Sequence, residues 1–218
     1  MKTIKLAALA IALTTLGSAN AASISFQTAY SSAGVQTTAE NYRSVVDAAV
    51  ANSAYGTTAL TSYDIVSNQS LFGAGATNIA FKSTINFGLA ADGNYAFRAG
   101  VDFGNGGAVF LDGQAVALNT SDMWWAHDYV NTNSVFMVNG QQLTAGNHTL
   151  TIYGLEGCCD GGQQVQYSAN GAAFQSFSAN TLTTVAAVPE PETYGMLLGG
   201  LAVVGAVAQR RRRKHGGV

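Results

Sequence analysis

The sequence predicts a mainly β protein: an antiparallel β-sandwich or jelly roll with one short N-terminal helix, followed by a C-terminal single transmembrane helix. Three observations predict it. Between residues 78 and 178, short apolar runs alternate with polar residues at a period of two, the pattern of strands buried on one face. Turn-forming pairs separate these runs: Asp92-Gly93, Asp112-Gly113, Asn139-Gly140, Ala145-Gly146 and Asn170-Gly171, with a Gly104-Asn105-Gly106-Gly107 run among them. Near the C-terminus, the uncharged stretch Gly195 to Ala208 lies between a proline pair and a basic cluster, the order expected of an apolar span held by cytoplasmic positive charge.

The first residues carry Lys2 and Lys5, then an uncharged run from Leu6 to Gly17, then Ser18-Ala19-Asn20-Ala21. A basic start, a short apolar middle and small residues at an A-x-A end make a secretory signal peptide over residues 1–21, cut after Ala21 and exported through the Sec translocon. The run is shorter than the roughly 20 apolar residues a bilayer span needs. An amphipathic helix is disfavoured because the run has no polar face. Residues 22–187 then form one secreted domain, long enough to bury a core.

Thr38 to Asn52 reads as a helix: Thr38 is placed to cap it, and Tyr42, Val45, Val46, Ala49 and Val50 fall near one face. Strands are expected at Asn78 to Phe87, Asn94 to Phe103, Ala108 to Leu111, Gln114 to Leu118, Ser134 to Val138, Asn147 to Leu155, Gln163 to Ser168 and Ala173 to Ser178. Tyr95, Phe97, Ala99, Val101 and Phe103 alternate cleanly. Many short strands separated by turn residues favour a sandwich or jelly roll.

Charge excludes one class of partner. The chain has ten Lys and Arg and twelve Asp and Glu. Within residues 22–187 only Arg43, Lys82 and Arg98 are basic against ten acids, so that region is near −7 while the whole chain is −2. Three cations on an acidic surface neutralise too few phosphates for nucleic acid. Acidic pairs are a source of calcium ligands, or serve only solubility. No catalytic constellation stands out: there is no G-x-S-x-G elbow, H-E-x-x-H or Walker loop. A glycosidase needs two facing carboxylates. Glu40 and Glu156 are the only glutamates of the region, with Asp102, Asp112, Asp122, Asp128 and Asp160 as available partners, and the sequence does not pair them. Asp112 is better explained by its turn. The expectation is a protein that is not an enzyme and holds no cofactor, calcium being the one candidate.

The only cysteines are adjacent, Cys158-Cys159, followed by Asp160-Gly161-Gly162. In an oxidising compartment three outcomes are open: a bond to each other, free thiols, or bonds to another molecule. A vicinal disulfide makes a tight turn, which Gly157 before it and the glycines after it accommodate. Its roles as a structural clip, as a platform in a binding loop, or in redox chemistry stay open. Zinc wants four ligands, and only His127 and His148 are there to help. The most ligand-like stretch is Ser121-Asp122-Met123-Trp124-Trp125-Ala126-His127-Asp128-Tyr129, which holds both tryptophans. Aromatic faces beside carboxylates suit sugar rings. The plain alternative puts one tryptophan in the core and the other over a sandwich edge. Candidate ligand contacts are Trp125, His127, Asp128 and Asp160.

Val188-Pro189-Glu190-Pro191-Glu192-Thr193-Tyr194, the apolar run, then Arg210, Arg211, Arg212, Arg213 and Lys214 together resemble the PEP-CTERM sorting signal. A plain tail anchor is the alternative. The resemblance spans residues 188–214, with Pro189, Glu190 and Pro191 as the sorting motif, the apolar run as transmembrane helix and Arg210 to Lys214 as the cytoplasmic basic tail. It implies an exosortase, a membrane transpeptidase, as partner, a Gram-negative host that often makes exopolysaccharide, a transient inner-membrane anchor, and delivery to the cell surface or extracellular matrix. Gly157-Cys158-Cys159-Asp160-Gly161 resembles the signature of the Cys-Cys-x-Gly subfamily of such proteins. Tyr95 to Asp102, the Gly-rich turn and Ala108 to Gly113, with Gly146 to Tyr153, resemble the protective-antigen-type β-sandwich, some members of which bind glycans through calcium held by paired aspartates. Here those places hold Asn105 and Gly106. The function expected is a non-enzymatic surface or matrix protein associated with exopolysaccharide. A lectin-like carbohydrate-binding module and a polysaccharide hydrolase are the alternatives.

Overall fold

The structure, a computed structural model, describes residues 22–73, 75 and 77–181. The expected signal peptide at 1–21 and the sorting segment at 188–214, with its transmembrane helix, lie outside the described residues. Among the described residues no helix is long and apolar enough to cross a membrane.

The expected antiparallel sandwich is present. One sheet has six strands in the order β2-β1-β3-β8-β5-β6: β1 (Ser23–Tyr30), β2 (Ala54–Leu60), β3 (Thr77–Leu89), β5 (Gly107–Leu111), β6 (Gln114–Asn119) and β8 (Gly146–Cys158). The other has four, in the order β10-β9-β4-β7: β4 (Gly93–Gly100), β7 (Val135–Leu143), β9 (Gln164–Ala169) and β10 (Gln175–Ser176). Strand alternation sends one side-chain set of each sheet into the space between them. Ile24, Phe26, Phe81, Phe87, Phe97, Phe103, Ile152 and Phe177 fill that space. The opposite face of the six-stranded sheet presents Ala29, Ala80, Ala108, Phe110, Tyr153 and Leu155 to the helix α1 (Ala39–Asn52). Thr38 caps α1 by accepting the Asn41 N–H, and Tyr42 and Val46 are the buried face, as the periodicity predicts.

Turns and bulges fix the registers. Asp112 and Gly113 take φ of +49° and +79° between β5 and β6, the positive values of a type I′ hairpin. Asn139-Gly140 is not the expected turn. It lies inside β7, where Gly140 has φ +66° and the pairing with β4 slips between Tyr95 and Phe97. The extra residue makes a β-bulge, which a glycine permits at no steric cost. Among the elements not expected are β1, β2 and the short helix α2 (Asn68–Phe72), which Ser67 caps through a reciprocal bond with Ser70.

Candidate ligand-binding cleft

At one end of the sandwich, Asp102, Gly104, Asn105, Asp122, Trp124, Glu156, Gly157, Cys158 and Cys159 line a cleft of about 400 Å³. Three pieces of backbone place these groups. The first is an isolated antiparallel bridge between Phe103 and Met123: the Phe103 N–H donates to the Met123 carbonyl at 2.8 Å, and the Met123 N–H donates back at 3.2 Å. Both side chains are sealed in the interior. Extended residues alternate in direction, so the flanking Asp102, Asp122 and Trp124 turn the other way, toward the cleft.

The second piece is the far end of β8. Its inward row runs Leu150, Ile152, Gly154, Glu156, the first two in the core. Glu156 is itself only 3% exposed. Its carboxylate accepts the Gly104 N–H at 2.5 Å and the Cys158 N–H at 2.6 Å, tying the Gly-rich turn to the cysteine turn. Burial raises its pKa, and the two N–H donors oppose that rise.

The third piece is the cysteine turn. Cys158 and Cys159 are bonded to each other as a vicinal disulfide, with Cys159 at φ +73°. The Asp160 carboxylate accepts the backbone N–H groups of Asn68, at 3.1 Å, and Gln69, at 2.6 Å, anchoring the turn on the start of α2. Gly161 passes so close to Asp102 that a Cβ there would overlap its carboxylate. Asp102 is 6% exposed. Burial, then the negative charges of Glu156, Asp122 and Asp160, push its pKa up to about 7.

The structure assigns the tryptophans differently from the ligand contacts expected above. Trp125 is 3% exposed and its indole N–H donates to the Asp128 carbonyl at 2.5 Å. It packs against Gly100 and is a core residue, not a surface contact. Trp124 is 66% exposed and lines the cleft. Of the adjacent pair, one indole faces in and its neighbour out. His127 is exposed, with φ +63° and its ring beside Trp125. The exposed Asp128 turns its carboxylate back onto the Val130 N–H at 2.9 Å, an Asx turn. Neither lines the cleft. Asp160 adjoins it through the cysteine turn, but its oxygens serve α2. Asp102, Asp122 and Glu156, which the sequence leaves unpaired, are the carboxylates brought together.

The donor set does not fit a calcium cage. Among the described residues no group of three or more His, Cys, Asp and Glu side chains is arranged to hold a metal. Glu156 and Asp160 spend their oxygens on backbone N–H groups, and Asn105 gives its carbonyl to the Tyr42 hydroxyl at 2.7 Å. His148 lies at the opposite end of β8 from the disulfide, bonded to Asp112 and to the Thr144 carbonyl.

A PA14 sugar-binding domain from an RTX adhesin superposes with a TM-score of 0.53 at 16% identity, covering 78% of this chain and all of that one. The PA14 domain of the MpAFP antifreeze protein gives 0.47 at 14% identity, over 77% of this chain and 93% of that one. The epithelial adhesin 9 A domain of Candida glabrata, solved with Galβ1-3GlcNAc, gives 0.45 at 9%, over 77% and 91%. Among curated proteins no sequence matches this chain. Residues 187–213 match the PEP-CTERM protein-sorting motif. The chain therefore joins a β-sandwich of the PA14 fold to a PEP-CTERM protein-sorting motif.

Proposed function

We propose that this is an exported surface or matrix protein that binds carbohydrate without turning it over, using the cleft at the end of the sandwich. The observation that carries the reading is the exposed indole of Trp124 in one concave site with Asp102, Asp122 and Glu156. A flat apolar face takes a sugar ring, and carboxylates accept its hydroxyl protons. That the RTX adhesin domain of the same fold is described as sugar-binding is consistent with this. Glu156 favours binding over hydrolysis: its carboxylate holds two backbone N–H groups, the part of a structural clamp. Binding is calcium-independent in this reading, because the donors do not fit that ion. The sorting motif supports processing by an exosortase, with Pro189, Glu190 and Pro191 as the motif and Arg210, Arg211, Arg212, Arg213 and Lys214 as the tail that resists translocation.

The test is affinity electrophoresis of the protein purified from its own host through gels containing that host's exopolysaccharide. Retardation of the native protein, lost in Trp124→Ala, is the expected result. Unretarded native protein overturns the carbohydrate reading. Delivery is tested separately: Pro189→Ala with Pro191→Ala is expected to keep the protein from the cell surface, and normal delivery of that variant overturns the sorting role.

A further inference from the structure

The charge balance of the cleft narrows the kind of saccharide, an inference that rests on the carbohydrate reading above. Three carboxylates, Asp102, Asp122 and Glu156, line the cleft, and among the described residues no basic side chain does. The cations of the domain are committed elsewhere. Arg43 lies over the Phe110 ring and pairs with Glu40, Lys82 pairs with Asp47, and Arg98 lies over Tyr129 and Phe174 while donating to Gln166.

Asp102 is the decisive group. It is nine-tenths buried, it lines the cleft, and among the described residues no hydrogen-bond donor reaches its carboxyl. Its oxygens meet only the cleft, so charging this largely buried group is costly, and three like charges around it add to the cost. A ligand that brings a positive charge with N–H donors removes both penalties. A metal ion is the weaker solution, because the Glu156 oxygens already accept two N–H groups. The exposed indole of Trp124 shapes the choice further: its face attracts a cation and stacks on a ring.

We propose that the cleft selects saccharides carrying a free, protonated amino group, the ammonium bonded to Asp102 and Asp122 and the sugar ring stacked on Trp124 beside the vicinal disulfide. N-acetylation removes the charge and so the preference. Uronic acids are repelled by the carboxylates. Binding an ammonium also favours the charged form of Asp102, so near neutral pH it releases a fraction of a proton.

The experiment is isothermal titration calorimetry on the protein purified from its host, at pH 6.5 in EDTA. The probes are a glucosamine pentasaccharide, its fully N-acetylated counterpart, cellopentaose and pentalysine. The amine-bearing sugar is expected to bind about tenfold or more tighter than the acetylated one, the worth of one charge-assisted hydrogen bond. Asp102→Asn and Asp122→Asn should each abolish that preference. Asp122 is exposed, so its variant keeps the test sound if Asp102→Asn unfolds. Equal binding of free and acetylated sugars overturns the amine selection and leaves the carbohydrate reading standing. No saccharide binding overturns both. Pentalysine binding as tightly as the glucosamine oligomer, or saccharide binding that appears only when calcium replaces EDTA, overturns the selection of an amino sugar.

Discussion

β8 passes through two environments along one face. Leu150 and Ile152 lie in the inter-sheet core, which the four-stranded sheet covers. Two steps further the same face carries Glu156, and beyond it Cys158 opens to solvent. The pleat is unbroken from one region to the other, so the backbone is not what differs. What differs is what lies across from it. The core end meets the aliphatic and aromatic side chains of the facing sheet, while the open end meets the Gly104 turn, Asp102 and Trp124. A sandwich therefore yields a site where its sheets stop covering each other, and residues that would be ruinous two positions earlier become useful there.

Substitutions at the sealed and open positions should separate sharply. The largest effect is expected from Trp125→Ala. Emptying a buried indole site costs about 3–5 kcal/mol, measured as a fall in urea midpoint. A loss as large for the neighbouring Trp124→Ala would break the comparison.

Next comes pH. The Asp102 pKa lies above its unfolded value and reaches about 7. Its contribution to stability is thus present in full below about pH 4 and is lost as pH rises through 7. The burial-raised Glu156 acts in the same direction. Urea midpoints should be higher at pH 5 than at pH 8. Asp102→Asn, which carries no charge to bury, should gain on the order of 1–3 kcal/mol at pH 8 and flatten the profile. A native profile rising toward pH 8 would contradict the charge crowding at the open end.

The disulfide should matter less to stability than to the site. It closes no loop beyond its own two residues, so it removes little entropy from the unfolded chain. Replacing Cys158 and Cys159 together with serine should cost under about 1 kcal/mol while weakening retardation in polysaccharide gels. The smallest stability effect, within about 0.5 kcal/mol, is expected for Trp124→Ala, the variant that should lose saccharide binding outright.

Legibility in the sequence followed the same division. The strands from β3 to β9 and helix α1 could be located because alternation, turn pairs and a capping threonine are local signals. β1 went unread although Ile24 and Phe26 alternate with Ser23, Ser25 and Gln27, because only that short stretch alternates, and β2 because Ala54–Leu60 has a central glycine and only Leu60 buried. α2 is too short to show a period. Asn139-Gly140 has the letters of a hairpin turn, but the pairing of β7 with β4 overrides them with a bulge. The cleft was half legible. The cysteine turn and the tryptophan segment were marked by composition. Which tryptophan faces out depends on the Phe103–Met123 bridge, a pairing across twenty residues that no local pattern reveals. The convergence of Asp102, Asp122 and Glu156 depends on the same bridge together with the end of β8.

The hold of Asp160 on the start of α2 joins positions 91 and 92 residues apart. A chain threaded through a membrane N-terminus first delivers Asn68 long before Asp160. The wall of the cleft cannot be anchored until the cysteine turn has also emerged, when nearly the whole sandwich is across. On the export and carbohydrate reading proposed above, a partly exported chain has no finished cleft with which to hold a glycan at the pore.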